Sequence, residues 1–324
     1  MNQLNSIGTP KSKARLESEI EKCREEGNWQ KVLQLASQLV QNTSEKCLVQ
    51  FLLGESKLEL YLEICNSTTN GATGTSSSPS TTVNLYSGEN KDKLLDEAEE
   101  HFQSCLTSSS SSPLCIDSNL LLAKLYYVRQ HFDRAVKSIE TSGIENVTQV
   151  EKALPLRVMK LVTESFAIKG MALENLANQL PPEHAITNGC SDFHASDSSS
   201  PLHSTTKSNE IVPCASQILA NNTIESRIFC LVRSSDLTLR YLQNVEKQHG
   251  KYSLSSVESI LETAIQRAPL LYIKNGQLHQ SLNQYRSILN AVECKATQNC
   301  RQVIARQLSE VCLLNLFNCS SLCA

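Results

Sequence analysis

Histidines, cysteines and clustered carboxylates are the side chains here that could do chemistry, and their spacing decides whether they can. Thirteen cysteines and seven histidines would supply several metal centres. Zinc sites, however, grow from close pairs such as Cys-x-x-Cys, and neither cysteines nor histidines pair at that spacing. His184, His194 and His203 fall in a tract rich in Ser and Asn. His101, His131, His249 and His279 fall near the ends of expected helices, where surface capping is the usual role. Glu97, Glu99 and Glu100 would need a cleft to act as acid and base; on a helix exterior they are expected to be solvated. No glycine-rich run leads into Lys and Ser/Thr to cradle a phosphate, and no serine sits on a strand-to-helix elbow. The expectation is a protein without catalysis, cofactor or metal.

The remaining chemical features read as structural. Cys23, Cys47, Cys230 and Cys312 lie on apolar helical faces, where a reduced thiol packs as a small hydrophobe. The N-terminus from Met1 to Lys13 is polar, without the apolar core of an export signal. That compartment argument speaks against disulfides and leaves the five Asn-x-Ser/Thr sequons, such as those at Asn66 and Asn146, idle. Net charge is −3, with Lys and Arg scattered in ones and twos. This leaves no basic stripe for nucleic acid and no polybasic segment for an anionic leaflet. Scattered charge of this kind is expected to be solvated. The apolar stretch Val311–Phe317 is far too short to span a bilayer, and no lipidation pattern stands at either end. A cytoplasmic chain is expected, reaching the plasma membrane only peripherally, through partners.

The elements that must carry these residues are helices. Apolar side chains recur at three- and four-residue spacing, and no useful length alternates with period two. Helices are expected near 12–26, 29–41, 45–64, 91–107, 116–129, 132–142, 151–178, 214–248, 254–274, 277–292 and 296–316. Between them, Asn66–Asn90 and Pro181–Pro213 are rich in Ser, Thr, Asn and Pro. They bury too little apolar area to offset the entropy of ordering. The expected organisation is therefore a disordered N-terminus (1–11), a hairpin with its following helix (12–65) and a disordered insertion (66–90). Helices at 91–180, a second insertion (181–213), helices at 214–318 and a tail (319–324) complete it.

The informative stretch is Asn119–Ser142, NLLLAKLYYVRQHFDRAVKSIETS. Tetratricopeptide repeats are 34-residue helical hairpins with small and large apolar residues at fixed offsets. Leu122, Ala123 and Tyr126 share one face of a first helix, and Phe132, Ala135 and Ile139 follow at the offsets expected of a second. Ala123 and Ala135 are expected to be small because two helices approach closely there. The pattern recurs where Leu16, Ile20 and Cys23 precede Gly27-Asn28-Trp29, with Val32, Ala36 and Leu39 after; Trp29 takes the place of Phe132. A third copy runs through Tyr272, Gly276, Leu278, Ser281, Tyr285 and Ile288. The fold class expected is all-α, a right-handed α-solenoid of tetratricopeptide-like hairpins; an irregular helical bundle is the alternative. The last helix, VCLLNLFNCSSLCA, has no polar cap, and an uncovered face there calls for further repeats or a partner.

These segments resemble the N-terminal part of the tetratricopeptide repeat protein 7 family. The resemblance rests on Leu16–Trp29, Leu122–Gly143, Glu164–Leu176, the run from Glu262 through Lys274, and Val292–Asn299. It implies a scaffold that helps assemble and localise the phosphatidylinositol 4-kinase type III alpha complex at the plasma membrane. In that family the protein bridges the lipid kinase, a hyccin-type subunit and a palmitoylated membrane anchor. Full-length members are more than twice as long, so a shortened chain is implied, with the contacts of the later repeats absent. Individual partner-binding residues cannot be read from the resemblance.

Two function classes stay open on the residues themselves. One is a scaffold engaging folded partners over broad helical surfaces. The other is a receptor whose groove clamps an acidic peptide terminus. A clamp needs basic residues converging from successive first helices; Arg15, Lys22, Lys124 and Lys274 are the candidates, and they are widely separated.

Overall fold

The computed structural model describes residues 13–40, 46–70, 89–108, 113–144, 154–179, 222–249, 259–291 and 298–322. The expected disorder at 1–11, most of that at 66–90, and the insertion at 181–213 lie outside the described residues, as does the end of the tail. Eleven helices make up the described chain, with no strand among the described residues. They are α1 (Lys13–Glu25), α2 (Trp29–Val40), α3 (Lys46–Asn70), α4 (Glu89–Ser108), α5 (Pro113–Val128), α6 (Phe132–Ser142), α7 (Leu156–Asn178), α8 (Ile224–His249), α9 (Ser259–Lys274), α10 (Leu278–Ala291) and α11 (Gln298–Leu322). Two compact units divide at Ser165/Phe166, inside α7.

In the first unit α1 packs on α2, α2 on α3, α3 on α4, α4 on α5 and α5 on α6, while α3 also touches α5. The second repeats the scheme: α8 on α9, α9 on α10, α10 on α11, and α9 on α11. A helix that meets both the next helix and the next but one is packed as in a stack of hairpins. This is the all-α solenoid arrangement.

Three hairpin turns are closed by the same hydrogen bonds. The amide of Gly27 donates to Arg24 O (3.2 Å) and that of Asn28 to Cys23 O (2.8 Å). Gln130 and His131 donate to Tyr127 O and Tyr126 O at 3.0 and 2.8 Å, and Gly276 and Gln277 to Ile273 O and Tyr272 O at 2.9 and 2.8 Å. Each is a Schellman motif, which needs a left-handed residue just past the helix. Gly27, Gln130 and Gly276 supply it, with φ of 69°, 61° and 70°.

These turns set a common register. Counting through each, Ile20 and Ala36, Ala123 and Ile139, and Pro269 and Tyr285 stand sixteen residues apart, and all six are buried. A small residue on one side is matched by a large one on the other in the first two pairs, which keeps the filled volume similar. The same rule appears in α3/α4, although their turn is interrupted by a long insertion. A Cβ on Gly54 would lie 2.8 Å from the Phe102 ring. Ala98, Phe102 and Cys105 are each fully buried at the spacing of Ala135, Ile139 and Ser142. In the second unit a Cβ on Gly170 of α7 would lie as close to the Leu231 side chain of α8, at 2.7 Å.

α7 is the most enclosed helix: every residue from Leu161 to Leu173 is buried. Its hydroxyls are satisfied internally, Thr163 donating to Met159 O (2.6 Å) and Ser165 to Leu161 O (2.7 Å), so their burial leaves no orphan donor. The core of the second unit gathers Leu239, Ile265, Tyr285, Ile288, Ile304 and Val311.

Boundaries differ from expectation at several places: α7 begins at Leu156 rather than 151, α8 at Ile224 rather than 214, and α4 at Glu89 rather than 91. α3 continues to Asn70, with neither proline nor glycine between Ile64 and Gly71 to end it. α5 starts at Pro113, where a proline costs nothing because the first helical N–H has no intrahelical acceptor. α11 runs through Asn318 to Leu322 rather than ending near 316.

Candidate functional site

The repeat positions read from the sequence fall on the paired helices. Leu122, Ala123, Tyr126, Ala135, Ile139 and Tyr285 are buried, whereas Trp29, Phe132 and Tyr272 are half-buried and Gly276 forms its turn. Phe132 packs its ring 5.7 Å from that of Tyr127. Tyr126 is held on several sides: its hydroxyl donates to Glu99 Oε1 (2.8 Å), and Arg134 lies 5.7 Å from the ring centroid. Burial, with the bond to Glu99, raises its pKa.

Several charged and polar side chains are not where the sequence placed them. Glu97 and Glu99 are not solvated ornaments of α4. Lys57 Nζ of α3 donates to Glu97 Oε2 at 2.6 Å, and Arg129 pairs with both Glu99 and Asp96. The bond from Lys57 holds the Glu97 carboxyl below the usual range. His101 caps no helix end. It stands within α4, 3.1 Å from Lys57 Nζ and 2.5 Å from Gln50 Oε1, and burial beside Lys57 pushes its pKa down. His131 makes no side-chain cap bond either; its ring lies 6.5 Å from that of Tyr126. Cys312 is exposed rather than on the apolar face of its helix.

The main surprise is a ladder of buried charge on the first helix of successive hairpins. Lys124 of α5, only 2% exposed, donates to Glu59 Oε1 of α3 (2.8 Å) and Glu164 Oε2 of α7 (3.2 Å). Arg24 of α1 donates to Glu55 Oε1 of α3 at 2.9 Å and pairs also with Glu21. Burial alone would lower the Arg24 pKa, yet Glu55 and Glu21 hold it above its ordinary value. Arg157 of α7 bridges Asp117 of α5 (3.0 Å) and Glu55 (3.5 Å). Each cation was legible only as scattered charge, because its partners lie in helices distant in sequence; a helical face that mixes one Lys or Arg with aliphatic residues is the one local signal.

This arrangement holds helices together, and it takes Lys124 out of any clamp for a ligand carboxylate. Of the four candidate clamp residues, Lys124 is consumed by two carboxylates inside the fold. Lys274 lies 3.5 Å from Glu174, Lys22 lies 3.8 Å from Glu26, and Arg15 is exposed. Among the described residues no group of His, Cys, Asp and Glu converges to hold a metal. No helix of the described residues is long and apolar enough to cross a membrane.

Schellman-closed hairpins, stacked with first helix against first helix, define a protein of the helical-repeat class. The family model for the N-terminal part of tetratricopeptide repeat protein 7 matches residues 6–188 and 206–321, and the chain belongs to that family. It is 29% identical to human tetratricopeptide repeat protein 7B over 325 aligned residues, which cover 95% of this chain and 32% of that protein. Human tetratricopeptide repeat protein 7A is 26% identical, over 95% of this chain and 34% of its own length. The chain thus spans about a third of these curated relatives.

Proposed function

We propose that this chain is a non-catalytic scaffold that helps assemble a phosphatidylinositol 4-kinase type III alpha complex and hold it at the plasma membrane. Its partners in this reading are the lipid kinase, a hyccin-type subunit and a palmitoylated anchor protein, and the chain itself stays cytoplasmic and peripheral. The observation that carries the reading is the family match, which runs through both compact units. A scaffold is also what the chemistry favours. Arg24 and Lys124 are paired within the fold, which leaves fewer first-helix cations for a peptide carboxylate and favours extended helical surfaces that suit folded partners.

The test is a pull-down with the purified chain as bait, offered the intact kinase, a hyccin-type domain or an isolated acidic peptide. Retention of a folded partner with no peptide binding supports the scaffold. Saturable capture of the peptide alone would replace it by the groove-receptor reading.

A further inference from the structure

In a helical-repeat array each hairpin normally touches only its neighbours, so stability spreads by nearest-neighbour coupling. The first unit breaks that rule at one cluster. Phe51 of α3 is fully buried, and two guanidinium groups lie against its ring: Arg24 from α1 at 5.6 Å and Arg157 from α7 at 5.4 Å. The same two arginines share Glu55, one helical turn further along α3. Arg24 Nη2 lies 2.7 Å from Glu55 Oε2 and Arg157 Nη2 3.5 Å from Oε1. Asp117 of α5 takes the other end of Arg157 at 3.0 Å. Helices α1, α3, α5 and α7 therefore each send a side chain to one point.

Two guanidinium groups around a single ring would repel each other without compensation. Here Glu21, Glu55 and Asp117 supply the compensating negative charge, and the Arg24 and Glu55 side chains, 5% and 7% exposed, are shielded from the water that would screen the attraction. Planar guanidinium can stack on the ring and bond a carboxylate in its own plane at once, which lysine cannot do. Arg157 to Glu55 and Phe51 is the contact that skips a hairpin, since α5 and α6 intervene in sequence.

We propose that this cluster is a clasp: α7 ties back to α3 and, through Phe51 and Glu55, to α1. With it closed, the helices up to Ser165 open together instead of fraying hairpin by hairpin from the N-terminus. Such a block would give partner proteins a stiff platform where an ordinary array would flex.

Hydrogen exchange on the full chain tests it, comparing wild type with Arg157→Gln and Arg157→Lys. The clasp requires α1 amides to exchange at least tenfold faster in Arg157→Gln, with Arg157→Lys close behind despite its retained charge. Faster exchange confined to α5, α6 and α7, with α1 unchanged, would overturn it. Should Arg157→Gln fail to fold, Arg157→Lys carries the same comparison. A thermal double-mutant cycle of Arg24→Lys with Arg157→Lys then decides independently. Melting shifts that are less than additive support the clasp; additive shifts contradict it.

Discussion

Gly54 of α3 leaves room for the ring of Phe102: the Cβ it lacks would lie 2.8 Å from that ring, which is itself fully buried. A Phe51–Phe102 contact at 6.4 Å between centroids backs the ring from α3, so it cannot simply swing away. Alanine would gain about 1 kcal/mol in helix propensity and lose roughly 1–3 kcal/mol to overpacking. Gly54→Ala is therefore expected to destabilise by about 1 kcal/mol, and Gly54→Val by more, in chemical denaturation. Gly54→Ala combined with Phe102→Leu should recover most of the loss. A stabilised Gly54→Ala would show that α3 and α4 are not this close.

The three turns make a prediction of opposite sign at equivalent positions. Gln130 holds φ at 61° where Gly27 and Gly276 hold 69° and 70°, and a left-handed residue with a side chain is strained by about 1 kcal/mol. Gly27→Gln and Gly276→Gln are expected to cost about that much. Gln130→Gly is expected to stabilise by a few tenths of a kcal/mol, less because glycine loosens the unfolded chain. Melting temperatures of the three variants check it; shifts of one sign throughout would contradict the shared motif.

What the residues disclosed, and what they withheld, follows from how local each cause is. The Phe132–Ser142 helix begins and ends where the sequence places it, because a turn signal and three apolar offsets all lie within a dozen residues. The α3/α4 pairing was hidden by the insertion between Asn70 and Glu89, which hides the short turn that marks a hairpin. Burial of Arg24 and Lys124 was illegible for a stronger reason. Charge reads as solvent-facing until its counter-ions are known, and Glu55, Glu59 and Glu164 reach them only through the stacking of hairpins.

Lys124 gives that burial an energetic test. Its side chain and that of Glu164 are each 3% exposed, and removing one partner of a buried pair typically costs roughly 3–5 kcal/mol. Lys124→Met alone should lose about that much in urea denaturation, because Glu164 and Glu59 are left facing each other. Adding Glu164→Met and Glu59→Gln should restore a large part. No loss in the single variant would mean that Lys124 reaches solvent.

Acid sensitivity follows from Glu97. Lys57 holds its folded-state pKa below the ordinary 4.5, so the unfolded chain takes up the proton first as pH falls. Its stabilising contribution is thus fully present above 4.5 and is lost as pH falls through the lower folded value. Glu97→Gln should be less stable than wild type at pH 7, by less than about 1 kcal/mol given its partial exposure. The gap should narrow as pH falls below 4.5. A gap that stays constant as the pH is lowered would deny the Lys57 pairing.

The proposed scaffold role toward a lipid kinase has a direct test. Affinity purification of the tagged chain from its native cells, read by quantitative mass spectrometry, tests it most directly. A phosphatidylinositol 4-kinase and a hyccin-type protein are expected to co-purify in comparable amounts and to survive a moderate salt wash. Recovery of the folded chain with no lipid kinase above background would contradict it.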